Sequence, residues 1–164
     1  MATPFTAEVV TPERVLFSGE VDEVSLRTDV GEIAFLAHHT EFVGALDITV
    51  ATLNVLEEGT EGAGSPTRFA VHGGFVHVAA NHVRVLAGVA ERAAEIDVAR
   101  ARAAAEAARE RLQREGEPSA PDGAPPAPGA VPLTGARLAL LAPGSAAAAL
   151  RRAEVRLSAA GESL

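Results

Sequence analysis

Between Arg68 and Ala108 the spacing of apolar side chains changes from every second residue to a helical period, with no linker between the two regimes. That change restricts the chain to folds in which a sheet feeds directly into a helix. Residues 68–79 (RFAVHGGFVHVA) and 83–89 (VRVLAGV) read as paired strands, with turns expected at Gly73-Gly74 and Ala80-Asn81. From Glu91 the sequence ERAAEIDVARARAAAE reads as a helix, almost free of β-branched residues after Val98.

Upstream the two-residue period holds throughout. Residues 5–10 alternate, Thr11-Pro12 interrupts them, and 15–27 resume as one long or two short strands about Gly19. A turn is expected over 29–32, strands over 33–36, 42–46 and 48–56, a polar interruption over 37–41, and an exposed hairpin loop over the Gly-rich, charged 57–66. About nine closely spaced strands with no intervening helix favour an antiparallel two-layer β-sandwich over a βαβ fold. The first helix is expected to end near Arg114. Residues 115–132, with six Pro and three Gly in eighteen positions, read as a linker. Residues 133–142 are ambiguous, Ser145 supplies an N-cap, and 146–160 read as a second helix. The fold class expected is mainly β plus α: a β-sandwich domain over 1–90, then a helical hairpin over 91–164 with a long Pro-rich inter-helix linker. Alanine faces bury little area, so the hairpin is expected to dock weakly and reversibly.

Charge divides the same way. Residues 1–90 carry 4 Arg against 12 Asp and Glu, whereas 91–164 carry 10 of each, and no cation is Lys. A net charge of −8 argues against nucleic acid as a partner, because backbone binding needs clustered cations. With no cysteine, thiolate chemistry and Cys-ligated metals are excluded. The N-terminus shows no secretory pattern, and the apolar 138–150 stretch, broken at Pro143-Gly144, is too short to span a bilayer. No nucleophile–base pair and no phosphate loop running into a helix are visible. His72, His77 and His82 recur every five residues, but odd spacing on strands turns successive side chains to opposite faces, which argues against a metal site. The residues thus describe a binding or coupling module.

Four segments resemble the epsilon subunit of F-type ATP synthases. They are Val10-Thr-Pro-Glu-Arg-Val-Leu-Phe-Ser-Gly-Glu-Val, Gly31-Glu-Ile-Ala-Phe-Leu-Ala-His-His, Phe69-Ala-Val-His-Gly-Gly-Phe-Val-His-Val, and Leu86-Ala-Gly-Val-Ala-Glu followed by Ile96-Asp-Val-Ala-Arg-Ala. Each is weak alone; their shared order and spacing are specific. The resemblance implies a ten-stranded sandwich with a helical hairpin. It also implies a non-catalytic central-stalk subunit, peripheral on the cytoplasmic side of the bacterial plasma membrane without inserting into it. The subunit would couple gamma to the c-ring and restrain ATP hydrolysis through contacts of its C-terminal helix with the alpha and beta subunits. Gly31 and Glu32 fall at the family's c-ring loop and His39 at its gamma-facing loop. The family's Gly, Pro and Pro around that loop are Ala34, Ala37 and Glu41 here, and the Pro-rich insert is longer than usual.

The resemblance implies no required cofactor; what it raises is a regulatory ATP, bound by some members of the family. In some members an (I/L)-D-x-x-R-A motif binds one ATP, which points here to Glu91, Ile96, Asp97 and Arg100, with Arg152 and Arg156 from the second helix. One further expected Arg is Ala107. Read as helix chemistry alone, Asp97 caps the helix and pairs with Arg100. Arg151, Arg152 and Arg156 make 145–160 net +2 and are the residues implied to meet beta-subunit acids; as plain charge they form a solvated face. The alternative to a rotor subunit is an autonomous nucleotide-sensing or adaptor sandwich.

Overall fold

The computed structural model describes residues 3–56, 65–115 and 144–162 of the chain. Residues 57–64 of the expected 57–66 loop, the linker beyond Glu115 and the 133–143 stretch lie outside them. The described residues form seven strands and two α-helices. They are β1 (Phe5–Val10), β2 (Val15–Thr28), β3 (Gly31–Phe35), β4 (Phe42–Val55), β5 (Ser65–Ala79), β6 (His82–Ala87), β7 (Ala90–Arg92), α1 (Val98–Glu115) and α2 (Ala146–Ala160).

Strands expected in pieces are continuous. Residues 15–28, 42–55 and 65–79 each make one long strand, which reduces the expected nine to six, and the unexpected β7 makes seven. Gly73-Gly74, expected as a turn, lies inside β5. Both have positive φ, 84° and 134°, and a Cβ on Gly74 would come within 2.1 Å of the Leu86 carbonyl oxygen. The pair bends β5 where it leaves β7, its neighbour at Phe69 to Val71, and joins β6 at Gly74. Only glycine permits that bend at such close backbone approach. Ser65 and Pro66 open β5 instead of closing a loop. The expected Ala80-Asn81 turn is present, with φ of 50° and 58°.

The strand order is β1-β6-β5-β4-β2-β3, and an additional β1–β2 pairing closes the sheet into a flattened sandwich. Every pairing is antiparallel except β1–β6, which is parallel. Inward residues, led by Phe35, Leu53, Phe69 and a group of valines, fill the space between the layers.

The helix expected from Glu91 starts later. Glu91 and Arg92 belong to β7, a 3-10 turn follows over Ala93–Glu95, and α1 begins at Val98. Pairing with β5 holds 90–92 extended, and Asp97 starts the helix by accepting a hydrogen bond from Arg100 N at 3.0 Å. Ser145 caps α2 as expected, accepting from Ala148 N at 3.1 Å, and Gly161 ends it at φ 83°. Helix α2 lies against α1, β4, β5 and the 3-10 turn. Its buried residues are four alanines, Val155 and Leu157, and the latter two pack with Ile48, Ala70, Ile96 and Ala101 in a second, smaller core.

Candidate functional site

The sheet register builds the site. Ala70 of β5 pairs with Glu91 of β7, and two residues on the His72 amide donates to the Val89 carbonyl at 3.0 Å. His72 and Glu91, nineteen residues apart, therefore meet side by side: His72 Nε2 lies 3.2 Å from Glu91 Oε1. From the other side α2 supplies Arg156, whose Nε donates to the same oxygen at 2.7 Å while Nη2 stands at 2.6 Å. One carboxylate oxygen thus joins a strand, a buried ring and the docked helix.

Burial sets the electrostatics. It opposes charge on Glu91, but hydrogen bonding and attraction from Arg156, with a smaller part from His72, hold the carboxyl below its ordinary range. His72 is pushed down, first by burial and then by the charge of Arg156, with Arg152 adding to the effect and Glu91 opposing it. At neutral pH the cluster is a charged Glu–Arg pair beside a neutral imidazole.

Outside this cluster a cleft of about 430 Å³ opens between β7, the 3-10 turn, α1 and α2. It is lined by Glu91, Glu95, Asp97, Arg100 and Arg156 with the small Ala101 and Ala104. Four of the six expected nucleotide residues, Glu91, Asp97, Arg100 and Arg156, converge there. The other two do not line it. Ile96 is 9% exposed and packs in the second core, where it anchors the segment that carries the motif, and Arg152 lies on the His72 side. Asp97 holds the Arg100 amide, as helix capping requires. Glu95, absent from the sequence expectation, is steered by Arg14 at 3.1 Å. His72 was also missed, because only the β5–β7 register relates it to Glu91. His77 and His82 lie elsewhere on the sheet, opposite Arg84 and near Glu8 respectively, so the period of five does not bring the three rings together.

The remaining expected residues sit on the sandwich and on α2. Gly31 and Glu32 start β3 just past the exposed Asp29-Val30 turn. Glu32 is 84% exposed, 4.0 Å from Arg27, at the rim of an open groove of about 450 Å³. His39 lies beyond the opposite end of β3, its ring edge-on to Phe35 and near-perpendicular to Phe42. Close by, Val43 and Phe75 are more than half exposed, and Leu86 nearly so. Cross-strand pairing puts Phe75 beside Leu86 on one face of the sheet, which Val43 shares. Arg151 is half-buried on α2.

A sandwich whose last strand passes into a docked helical hairpin, with charged residues at the seam, defines a two-part binding module. The profile described as "ATP synthase, Delta/Epsilon chain, beta-sandwich domain" matches residues 4–93. An ATP synthase epsilon chain of Carboxydothermus hydrogenoformans is 44% identical over 70% of this chain and 80% of its own length. One of Solibacter usitatus is 44% identical over 66% and 72%. Among solved structures, a chain of the Euglena gracilis mitochondrial ATP synthase, seen with OSCP, F1 and c-ring, superposes with a TM-score of 0.58 at 25% identity, covering 70% of this chain and 69% of that one. The chain belongs to the ATP synthase epsilon chain family.

Proposed function

We propose that the chain is the central-stalk subunit of a proton-translocating F-type ATP synthase, non-catalytic, its sandwich bridging gamma to the c-ring and its α2 helix restraining ATP hydrolysis when released. The rotor role follows from membership of the epsilon chain family. It makes the protein a peripheral one on the cytoplasmic side of the bacterial plasma membrane, and no described helix is long and apolar enough to cross that membrane. The exposed turn at Gly31 and Glu32 suits the polar loops of the c-ring. The apolar face around Phe75, Leu86 and Val43, beside His39, suits gamma, since exposed apolar patches mark interaction surfaces.

The observation that carries the braking role is the seam under α2. Among its larger side chains only Val155 and Leu157 are buried, and Arg156 is held by a single carboxylate oxygen. A helix so attached can leave, and on leaving it offers Arg151, Arg152 and Arg156 to acidic segments of the beta subunits. In the docked state the cleft at Glu91, Asp97, Arg100 and Arg156 is the place for a regulatory ATP. Phosphate there must compete with Glu91 for Arg156 in a cleft with three carboxylates, so affinity is expected to be weak. Deleting residues 133–164 should raise ATP hydrolysis by the assembled enzyme modestly and spare assembly and coupled synthesis. Unchanged hydrolysis removes the brake; lost assembly makes the hairpin structural. Failure to capture gamma would remove the rotor reading itself.

A further inference from the structure

The inner end of the seam holds one titratable group that neither nucleotide binding nor braking employs. The His72 side chain is 4% exposed, and its Nδ1 is buried without a hydrogen-bond partner among the described residues. With its proton on Nε2, the neutral ring donates to Glu91 and leaves Nδ1 bare. A second proton, on Nδ1, would be enclosed with no acceptor. Among the described residues, the charged groups that face the ring are Glu91 from β7 and Arg152 and Arg156 from α2; the residue opposite it on β4 is the apolar Ile48. Helix α2 therefore brings cover and positive charge, both opposed to an imidazolium. Once α2 leaves, the carboxylate that remains favours one.

We propose that His72 is a proton-operated latch: α2 docks on the neutral imidazole, and protonation of Nδ1 releases the helix. The latch rests on the part of the proposed function in which α2 is a releasable helix, and it names acidification as a signal for release. The direction of the linkage follows from the docked state, where burial and then Arg156 lower the His72 pKa below its ordinary value. A ring that binds its proton less well when docked takes one up on release. Docking is therefore fully favoured above the released ring's pKa and weakens as pH falls from there towards the docked value. One linked proton changes the docked-to-released ratio by up to about tenfold per pH unit in that window. Glu91, also lowered on docking, acts in the same direction at more acidic pH.

The chain has no cysteine, so Ser158→Cys on α2 and Asp29→Cys on the sandwich create a unique pair for spin labels. Electron–electron distances in the full chain should show one docked population at pH 8 and a growing released one below about pH 6.5. His72→Gln, whose amide still donates to Glu91, should flatten the profile between pH 5.5 and 8. A pH-independent wild type, or a variant that keeps the dependence, overturns the latch. A second arm follows the His72 ring by proton NMR: its midpoint should lie below that of an ordinary histidine in wild type and rise in Arg156→Gln, and equal midpoints overturn the proposal. Both arms use the isolated chain. A flat result ends the latch and leaves the brake to the ATPase test, whereas truncation without effect on hydrolysis ends the brake and leaves the latch standing.

Discussion

Replacing Leu157 with alanine separates a releasable helix from one that is part of the fold. Leu157 is 1% exposed in the core beneath α2, and it does not belong to the cluster that fills the sandwich. The substitution removes three carbons, each contributing about 0.8 kcal/mol when buried, so docking should lose about 2.4 kcal/mol, with more if the space does not collapse. The docked-to-released ratio then falls about fiftyfold or more at about 1.4 kcal/mol per tenfold. The other buried α2 contacts are mostly alanines and Val155, which offer little to compensate. Spin labels at Ser158→Cys and Asp29→Cys read the released fraction at pH 8, and urea unfolding reads the sandwich. The expected outcome is a large released population with the sandwich midpoint nearly unchanged. An unchanged distance distribution would refute the reasoning. So would a fully shifted unfolding midpoint with no released species, which would make α2 an integral part of the domain.

Gly74→Ala should destabilise the sandwich by about 3 kcal/mol or more, because φ of 134° and a 2.1 Å approach to the Leu86 oxygen both resist a side chain; a urea midpoint within error of wild type would refute this. Ser145→Ala removes the α2 N-cap and should cost about 1 kcal/mol of docking, seen as a modest rise in the released spin-label population. Calorimetric titration with ATP should show at most millimolar-range affinity that Arg100→Ala abolishes. A response unchanged by Arg100→Ala would place the nucleotide elsewhere.

What the sequence disclosed was chemistry confined to a few neighbouring residues. Ser145 immediately ahead of an alanine-rich run, Asp97 ahead of another, and Ala80-Asn81 between alternating runs each specify their cap or turn within one helical or hairpin turn. What it concealed depends on partners far away in the chain. Gly73-Gly74 looks like a hairpin turn until β5 is seen to exchange β7 for β6 at that point. Glu91 has a good helical sequence after it, yet pairing with Ala70 keeps it in a strand. The β1–β6 pairing is parallel, although alternation in the two strands says nothing of direction. The candidate site is divided in the same way. Asp97 and Arg100 follow from one motif, and Arg156 was indicated by the resemblance and by its charge on an alanine helix, but not by its contact with Glu91. His72 needed the register, because its nearest chemical neighbour is nineteen residues away.

The position of Arg156 gives the braking hypothesis a test of sign. The same guanidinium that holds α2 to Glu91 is among those offered to the beta subunits, and it cannot serve both at once. Replacing Arg156 removes the docked contact, which favours release, and also removes an attractive group from the released helix. Leu157→Ala does only the first, because an apolar side chain buried at the seam carries no charge to a partner. In the assembled enzyme Leu157→Ala should therefore lower ATP hydrolysis by enlarging the released population with its arginines intact. Arg152→Ala with Arg156→Ala should raise hydrolysis towards the level of the 133–164 deletion, although it too loosens docking. Steady-state ATPase at pH 8, where the His72 latch favours docking, compares the variants on one footing. Opposite signs are the expected result. If both variants raise hydrolysis, the inhibitory element is the docked hairpin and not the free helix; if both lower it, release alone inhibits and the arginines are not what the beta subunits recognise.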